Sequence, residues 1–315
     1  MKTFWNNLPK PFFALAPMEA VTDVVFRHVV AKAASADIYF TEFTNATSFV
    51  NPKGRHSTRG RLEFTTDEQP MVAQIWGAVP EHFAIMSKEL EAMGFAGIDI
   101  NMGCPDKSVI KTGSCSALIE NHSLAAEIIA ATKEGGLPVS VKTRLGLKVQ
   151  KTEEWGSFLL EQDIAALTIH ARTQKEMSKV PARWEEIAKI VKLRDTISPE
   201  TLIIGNGDVQ DRQHGEELVK KYSVDGVMIG RGIFHNPFAL EETMQDHTKE
   251  ELLDLLTFHL DLYDKSIKIH PRKFDPLKRF FKIYIRSFAG ASELRAQLME
   301  CKTTSEVREC LSQAP

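Results

Sequence analysis

Eight short apolar runs, separated by segments of helical character, predict an α/β chain folded as a (β/α)8 TIM barrel and followed by a C-terminal helical domain. Three observations predict it. The runs are nearly continuous in β-branched and large apolar residues, as a parallel sheet covered on both faces requires. Each run carries polar or glycine residues at or beside its end, and in a barrel all such ends meet on one face. After about residue 240 the strand pattern stops and only helical segments follow.

The runs are FFALAPM (12–18), DIYFTEF (37–43), MVAQIWG (71–77), GIDINMG (97–103), VSVKTRLG (139–146), ALTIHAR (166–172), LIIGNGD (202–208) and GVMIGRG (226–232). Helical stretches such as 80–94 and 122–136 lie between them. Strands alternating with helices mark βαβ units, and eight of them suit a barrel of ~250 residues. An open doubly wound sheet competes, but no GxGxxG follows the first run. The barrel is expected over residues 1–240. The helical domain is expected over 241–315, from segments 241–266, 275–290 and 292–313.

Composition excludes several classes. The net charge of −3 gives no whole-chain attraction to a polyanion, so a nucleic-acid site must be a local patch. The four cysteines, Cys104, Cys115, Cys301 and Cys310, form no CxxC pair and belong to no cluster with metal-ligand spacing. No metal is expected, and a reducing cytoplasm is the simplest setting. The N-terminal stretch lacks the ~7–15-residue apolar run of a signal peptide. No segment approaches the ~20 apolar residues of a membrane span. A monomeric cytoplasmic protein is expected.

The strand ends carry Pro17, Met18 and Glu19; Glu42; Gln74; Asn101 with Cys104; Lys142 with Arg144; His170 with Arg172; Asn206, Gly207 and Asp208; and Gly230 with Arg231. The last two sets resemble an anion site, because glycines let backbone N–H groups approach a ligand and barrels often hold phosphate there. Arg231 adds a possible bidentate bond. Lys142 and Arg144 lie two apart on one strand and so share a face. Such cations call for a partner, either a phosphate or electron-rich ring or a barrel carboxylate such as Asp99 or Glu42. The Gln74 amide suits the edge of a flat heterocycle. Cys104 is mostly protonated at its ordinary pKa and makes a better proton donor than nucleophile. Lys142 and Arg144, if close, would push it toward thiolate, so both roles stay open.

Together these residues resemble the dihydrouridine synthase family of flavin-dependent tRNA-modifying enzymes. The resemblance rests on APMEAVTDVVFR, TEF, QIWG, DINMGCP with IKTG four residues on, SVKTRLG, IHART, GNGDV, MIGRGIFHNPF and PLKRFFKIYIRSFAGASELR. It implies bound FMN, reduced by NADPH or NADH, and reduction of the C5–C6 double bond of a tRNA uridine. It places FMN contacts at Pro17, Met18, Glu19, Gln74, Lys142, His170, Asn206, Gly207, Asp208, Gly230 and Arg231. It makes Cys104 the donor of the proton to C5 and puts Asn101 and Arg144 at the uracil edge.

A flipped-out base needs a basic surface to hold the rest of the RNA. Between Lys265 and Arg286 there are eight Lys or Arg residues and one acid, Asp275. On a helix, Lys278, Arg279, Lys282 and Arg286 fall on one arc of ~100° and are expected to meet tRNA phosphates. Four positions depart from the family pattern. Cys115 stands where a second glycine is usual, Ser178 and Val180 replace Tyr and Gly, and Arg183 replaces a frequent acid. Two rival readings remain: an FMN barrel acting on a free pyrimidine, and a non-enzymatic RNA-binding protein on a relic barrel. The basic tail opposes the first, and the combination of Cys104, Lys142, His170 and Gln74 opposes the second.

Overall fold

The computed structural model describes residues 3–313. By internal packing the chain divides into two compact units. The chain up to Val24, with Ala36–Val209 and His214–Gly230, forms one; Val25–Ser35, Gln210–Gln213 and the chain from Arg231 onward form the other. The segment after the first strand thus packs with the C-terminal helices, and the division falls at Arg231 rather than at residue 241.

The first unit is a ring of parallel strands. In chain order they are β1 (Phe12–Leu15), β2 (Tyr39–Phe40), β3 (Thr44–Asn45), β4 (Met71–Trp76), β5 (Gly97–Met102), β6 (Val139–Arg144), β7 (Ala166–His170), β8 (Leu202–Asn206) and β9 (Gly226–Ile229). Their order is β1-β9-β8-β7-β6-β5-β4-β2, with β3 also on β4. The ring closes between β1 and β2 by a parallel bridge from Ala14 to Ile38, where Leu15 N–H donates to Ile38 O at 3.3 Å. This is the expected barrel of eight strand positions, one of them split.

The split has a local cause. The run 37–43 is strand only at Tyr39–Phe40, and pairing resumes at Thr44–Asn45. At Thr41 the side-chain oxygen, not a strand carbonyl, accepts the Gln74 N–H at 3.0 Å. The chain bends there, and Glu42 accepts from Ala20 N–H at 2.5 Å.

Helices cover the ring. After α1 (Val24–Ala33), which belongs mostly to the second unit, they are α2 (Ala46–Val50), α3 (Pro52–Thr58), α4 (Pro80–Ala92), α5 (Lys107–Lys111), α6 (His122–Lys133), α7 (Thr152–Leu160), α8 (Trp184–Ile197) and α9 (Arg212–Tyr222). The Trp155 indole N–H donates to Thr143 Oγ1 at 2.9 Å, which locks α7 onto the outer face of β6. Inside, Trp5, Phe12, Ala14, Ile38, Phe40, Val72, Ala166, Leu202, Ile204 and Met228 form one buried apolar cluster. Burying each large side chain contributes about 1.5–3 kcal/mol. Gln74, Asp99, Asn101 and Ser140 form a polar layer linked side chain to side chain toward the C-terminal strand ends, with the Lys142 charge acting on Asp99.

The second unit holds most of α1 with α10 (Gly232–His235), α11 (Lys249–Ser266), α12 (Phe281–Tyr284), α13 (Ala291–Glu300) and α14 (Thr304–Gln313). Its centre is aromatic. Phe26 and Phe280 lie 4.7 Å apart, His259 meets Phe280 edge-on at 5.0 Å, and His259 Nδ1 is 2.7 Å from Tyr284 Oη. The single amphipathic helix expected over 275–290 is not formed. Asp275–Phe280 is a 3-10 segment, α12 lasts one turn, Ile285 leaves helical dihedrals and Ser287 is left-handed at φ 62°. Leu277, Phe280, Phe281, Ile283 and Tyr284 are all buried, so the segment is wrapped by core and presents no ordered ~100° basic arc.

Candidate active site

The C-terminal strand ends hold three linked groups of side chains. The first runs across β4, β5 and β6. The Asp99 carboxylate is fully buried and accepts from Gln74 Nε2 at 2.7 Å and from Ser140 Oγ at 2.7 Å. Gln74 Oε1 accepts from Asn101 Nδ2 at 3.0 Å. Asn101 Oδ1 accepts from the backbone N–H groups of Gly103, at 3.0 Å, and Cys104, at 2.9 Å. One amide therefore fixes the turn on which the half-buried Cys104 thiol stands. Burial pushes Asp99 up to about 6, against its hydrogen bonds.

The second group spans β6, β7 and β8. Lys142 Nζ donates to Asn206 Oδ1 at 3.2 Å, and Asn206 Nδ2 donates to Met228 O at 2.8 Å. Burial lowers Lys142 to about 8, helped by the Arg144 charge and opposed by Asp99. His170 Nε2 is 3.1 Å from Arg172 Nη1. Gly207 has φ 125°, and a Cβ there would meet Ala182 Cβ at 2.9 Å and His170 Cδ2 at 3.2 Å, so only glycine fits. Asp208 turns its carboxylate to Arg172 and to Ala182 N–H.

The third group joins β1 and β9. Ala16 N–H, before Pro17, donates to Ile229 O at 2.8 Å, and a Cβ on Gly230 would lie 3.9 Å from Met18 Sδ. Glu19 stands apart from these groups, held in a fork by Arg61 at 2.7 and 2.5 Å. Glu42 lies 3.9 Å from Arg61, and burial raises it to about 7.

Arg144 is drawn into structure. Its Nε donates to Gly103 O at 2.7 Å, and its Nη1 donates to Thr173 O at 3.3 Å and Met177 O at 3.1 Å. It clamps the Cys104 turn to the loop after β7. In that loop Arg183 forks onto Glu176 at 2.7 and 2.8 Å, and Val180 O accepts from Arg172 Nε at 2.6 Å.

The Cys104 thiol is lowered, the outcome that the sequence left open, but its main cause is not the Lys142 and Arg144 pair. It is lowered to about 7, and the largest cause is a hydrogen bond from Cys115; the Asp106 N–H and the Arg144 charge also lower it, while burial opposes. Cys115 is fully buried and raised well above the ordinary thiol range. Sequence reasoning named Asp99 only as a partner for Lys142 and gave Cys115 no role, and it missed Arg61 and Ser140. A carboxylate inside an apolar strand, two residues before Asn101, was a usable signal for Asp99. None marks Arg61.

Among the basic residues of the second unit, Lys278 Nζ is tied to Met299 O at 2.7 Å and Asp275 at 3.3 Å. Arg279 Nε donates to Pro276 O at 3.1 Å. Lys282 lies over the Phe234 ring at 5.4 Å. Arg231, Phe234, His235, Lys282, Arg286 and Ser287 line one cavity of about 560 Å³. Among the described residues no cluster of metal-ligating side chains occurs, and no helix is long and apolar enough to cross a membrane.

Fold and site define a TIM-barrel enzyme with a buried polar site at the C-terminal strand ends. Two solved structures share the fold alone. They are a histamine dehydrogenase from Rhizobium sp. 4-9 (TM-score 0.53, 11% identity, 72% of this chain, 44% of that chain) and a 2-naphthoyl-CoA reductase (TM-score 0.57, 10% identity, 74% of this chain, 51% of that chain). The family description "Dihydrouridine synthase (Dus)" matches residues 14–314. A "Probable tRNA-dihydrouridine synthase" of Staphylococcus aureus (strain COL) is 58% identical over 99% of this chain and 95% of its own. A "Probable tRNA-dihydrouridine synthase 2" of Bacillus subtilis (strain 168) is 58% identical over 98% of this chain and 96% of its own. The chain belongs to the dihydrouridine synthase family.

The electrostatics give a direct test. At pH 7 a thiol near 7 is about half thiolate, against a few per cent for a thiol near 8.5, so iodoacetamide should label Cys104 about tenfold faster than an ordinary exposed cysteine. Peptide mapping of partial labelling should find Cys104 first and Cys115 last. Equal labelling of the two would contradict the assigned polarity.

Proposed function

We propose that this barrel holds FMN, takes electrons from NADPH or NADH, and reduces uridine in tRNA with Cys104 as the proton donor. The reaction itself, conversion of tRNA uridine to 5,6-dihydrouridine, follows from family membership over nearly the whole chain and from full-length relatives at 58% identity. Assignment of cofactor, reductant and residues is the proposal, as are a cytoplasmic setting and a monomeric state.

The residues present fit a flavin. Lys142 is a half-buried cation whose side chain meets an amide oxygen, so it suits an electron-rich ring edge. Thr168 Oγ1, on the same strand face as His170, is buried without a hydrogen-bond partner. Gly207 is a cradle that a Cβ would fill. Lys142, His170 and Asn206 would hold the ring side, with Gln74 through the amide network and Pro17 and Met18 beside it. The backbones of Gly207, Asp208 and Gly230, with the Arg231 charge, would hold the phosphate. Glu19, forked to Arg61, would contribute through its backbone. When bound, FMN supplies the hydride for C6 of the uracil.

The protein's part is the other half of the addition. Negative charge develops toward C5, and the neutral Cys104 thiol delivers the proton there. Asn101 holds the turn, and the Arg144 clamp keeps it closed over the base. The single observation that carries this reading is the half-buried Cys104 thiol, pinned by Asn101 to a network of buried polar side chains. In the second unit, the cavity between Arg231, Lys282 and Arg286 with the Phe234 face suits an RNA phosphate and base better than a free pyrimidine. Lys278 and Arg279, engaged by backbone carbonyls, would add positive charge in the same unit.

Cys104→Ala should keep its yellow flavin and still be reduced by NADPH, yet form dihydrouridine in tRNA at least about 100-fold more slowly, the usual scale of general-acid loss. Unchanged dihydrouridine formation would remove Cys104 from the chemistry. Lys282→Glu combined with Arg286→Glu should weaken tRNA binding at ~0.15 M salt by tenfold or more and flatten its salt dependence, with flavin retained. Normal binding by that double variant would exclude the cavity as an RNA site.

A further inference from the structure

Cys115 occupies a position that its backbone resists. Its φ is 53°, in the left-handed region that favours glycine, two residues after Gly113 at φ 77°. Outliers of this kind persist where the surroundings hold them, and they cluster at functional positions. The side chain is fully buried, and the nearby Cys115 thiol is the largest influence lowering Cys104. The next residue, Ser116, donates from Oγ to Cys104 O at 2.8 Å. Cys104 is thus held at two backbone atoms. Its N–H is held by Asn101 and its carbonyl by Ser116, which brings the buried Cys115, one residue before Ser116, to the remaining atom, its sulfur.

We propose that Cys115 is a positioning residue for the proton donor: its S–H donates to Cys104 Sγ, aims that sulfur, and stabilises the thiolate formed when Cys104 gives up its proton. The inference rests on Cys104 being the acid. In the step, the Cys104 S–H bond breaks and a C–H bond forms at uracil C5. The electron pair stays on Cys104 Sγ as a thiolate, and Cys115 keeps its own proton. Solvent then reprotonates Cys104 before the next turnover.

The polarity of the pair agrees. Cys115 is held far above the ordinary thiol range by burial, so it remains a donor at any pH where Cys104 ionises. Cys104 sits at about 7, near the working pH that general acid catalysis favours. The other groups facing Cys104 act less: the Asp106 N–H and the Arg144 charge lower it, the Asp106 carboxylate raises it, and Lys142 lies near enough on β6 to feel its charge. The active form is the neutral thiol, present below its pKa and lost above it. Cys115 therefore makes Cys104 a stronger acid and lowers the pH at which activity begins to fall.

The test uses the full-length flavin-loaded protein and its Cys115→Gly and Cys115→Ser variants. Glycine suits the left-handed backbone, so that variant should fold. Two pH profiles are measured: Cys104 alkylation by iodoacetamide without tRNA, and single-turnover dihydrouridine formation by pre-reduced enzyme. In Cys115→Gly both midpoints should move up from about 7 toward ~8.5, and Cys104 alkylation at pH 7 should slow about tenfold. The rate of dihydrouridine formation on the acid plateau should fall, and Cys115→Ser, which keeps a donor, should lie between. Identical profiles in wild type and Cys115→Gly would overturn the proposal. If Cys104→Ala proves fully active, the acid role of Cys104 fails, while the alkylation profile still decides whether Cys115 controls that thiol.

Discussion

The Asn101 side-chain amide is the contact on which the site depends. Its nitrogen is spent on Gln74, and its oxygen on two consecutive backbone N–H groups, Gly103 and Cys104. Gln74 can offer that acceptor only because Asp99 takes its own N–H groups, and Asp99 is kept in place by Ser140. Each link is buried, so each broken partner would leave an orphaned polar group at a cost of about 1–3 kcal/mol. The network is supported from below by the apolar cluster within the barrel. Its output is the placement of one thiol.

Charge follows from the same arrangement. Burial drives Asp99 and Glu42 up and Lys142 down, so the low-polarity interior narrows the gap between acids and bases near neutrality. Cys104 moves the other way for a carboxyl-like acid, downward, because a hydrogen-bond donor outweighs its burial. Environments that push titratable groups toward neutral pH are a mark of acid–base sites.

The barrel was legible in the sequence because its signals repeat. Eight apolar runs ending in polar residues leave few alternatives, and the runs at β4 to β9 hold close to the expected spans. The run 37–43 misled because Thr41 replaces a strand acceptor with its hydroxyl, a choice invisible to residue pattern. The helix over 275–290 misled for a different reason. Helical spacing of Lys278, Lys282 and Arg286 is real in sequence, but the intervening aromatic side chains are buried on every side and force a 3-10 segment and a single α-turn. At the site, residue types near strand ends were readable, since a barrel gathers them. Their partners were not. The Arg61 fork on Glu19, the three carbonyls around Arg144 and the Cys115 thiol come from loops whose paths are set by tertiary contacts.

The account stands on the claim that an amide relay, and not the cysteine alone, sets up proton delivery. The direct measurement is single-turnover dihydrouridine formation by flavin-loaded, pre-reduced Asn101→Leu, a variant of similar volume that cannot accept from Gly103 and Cys104. The account predicts a loss of about 100-fold or more, the usual penalty for a reacting group displaced by an ångström, with flavin retained. A rate within twofold of the wild type would contradict it.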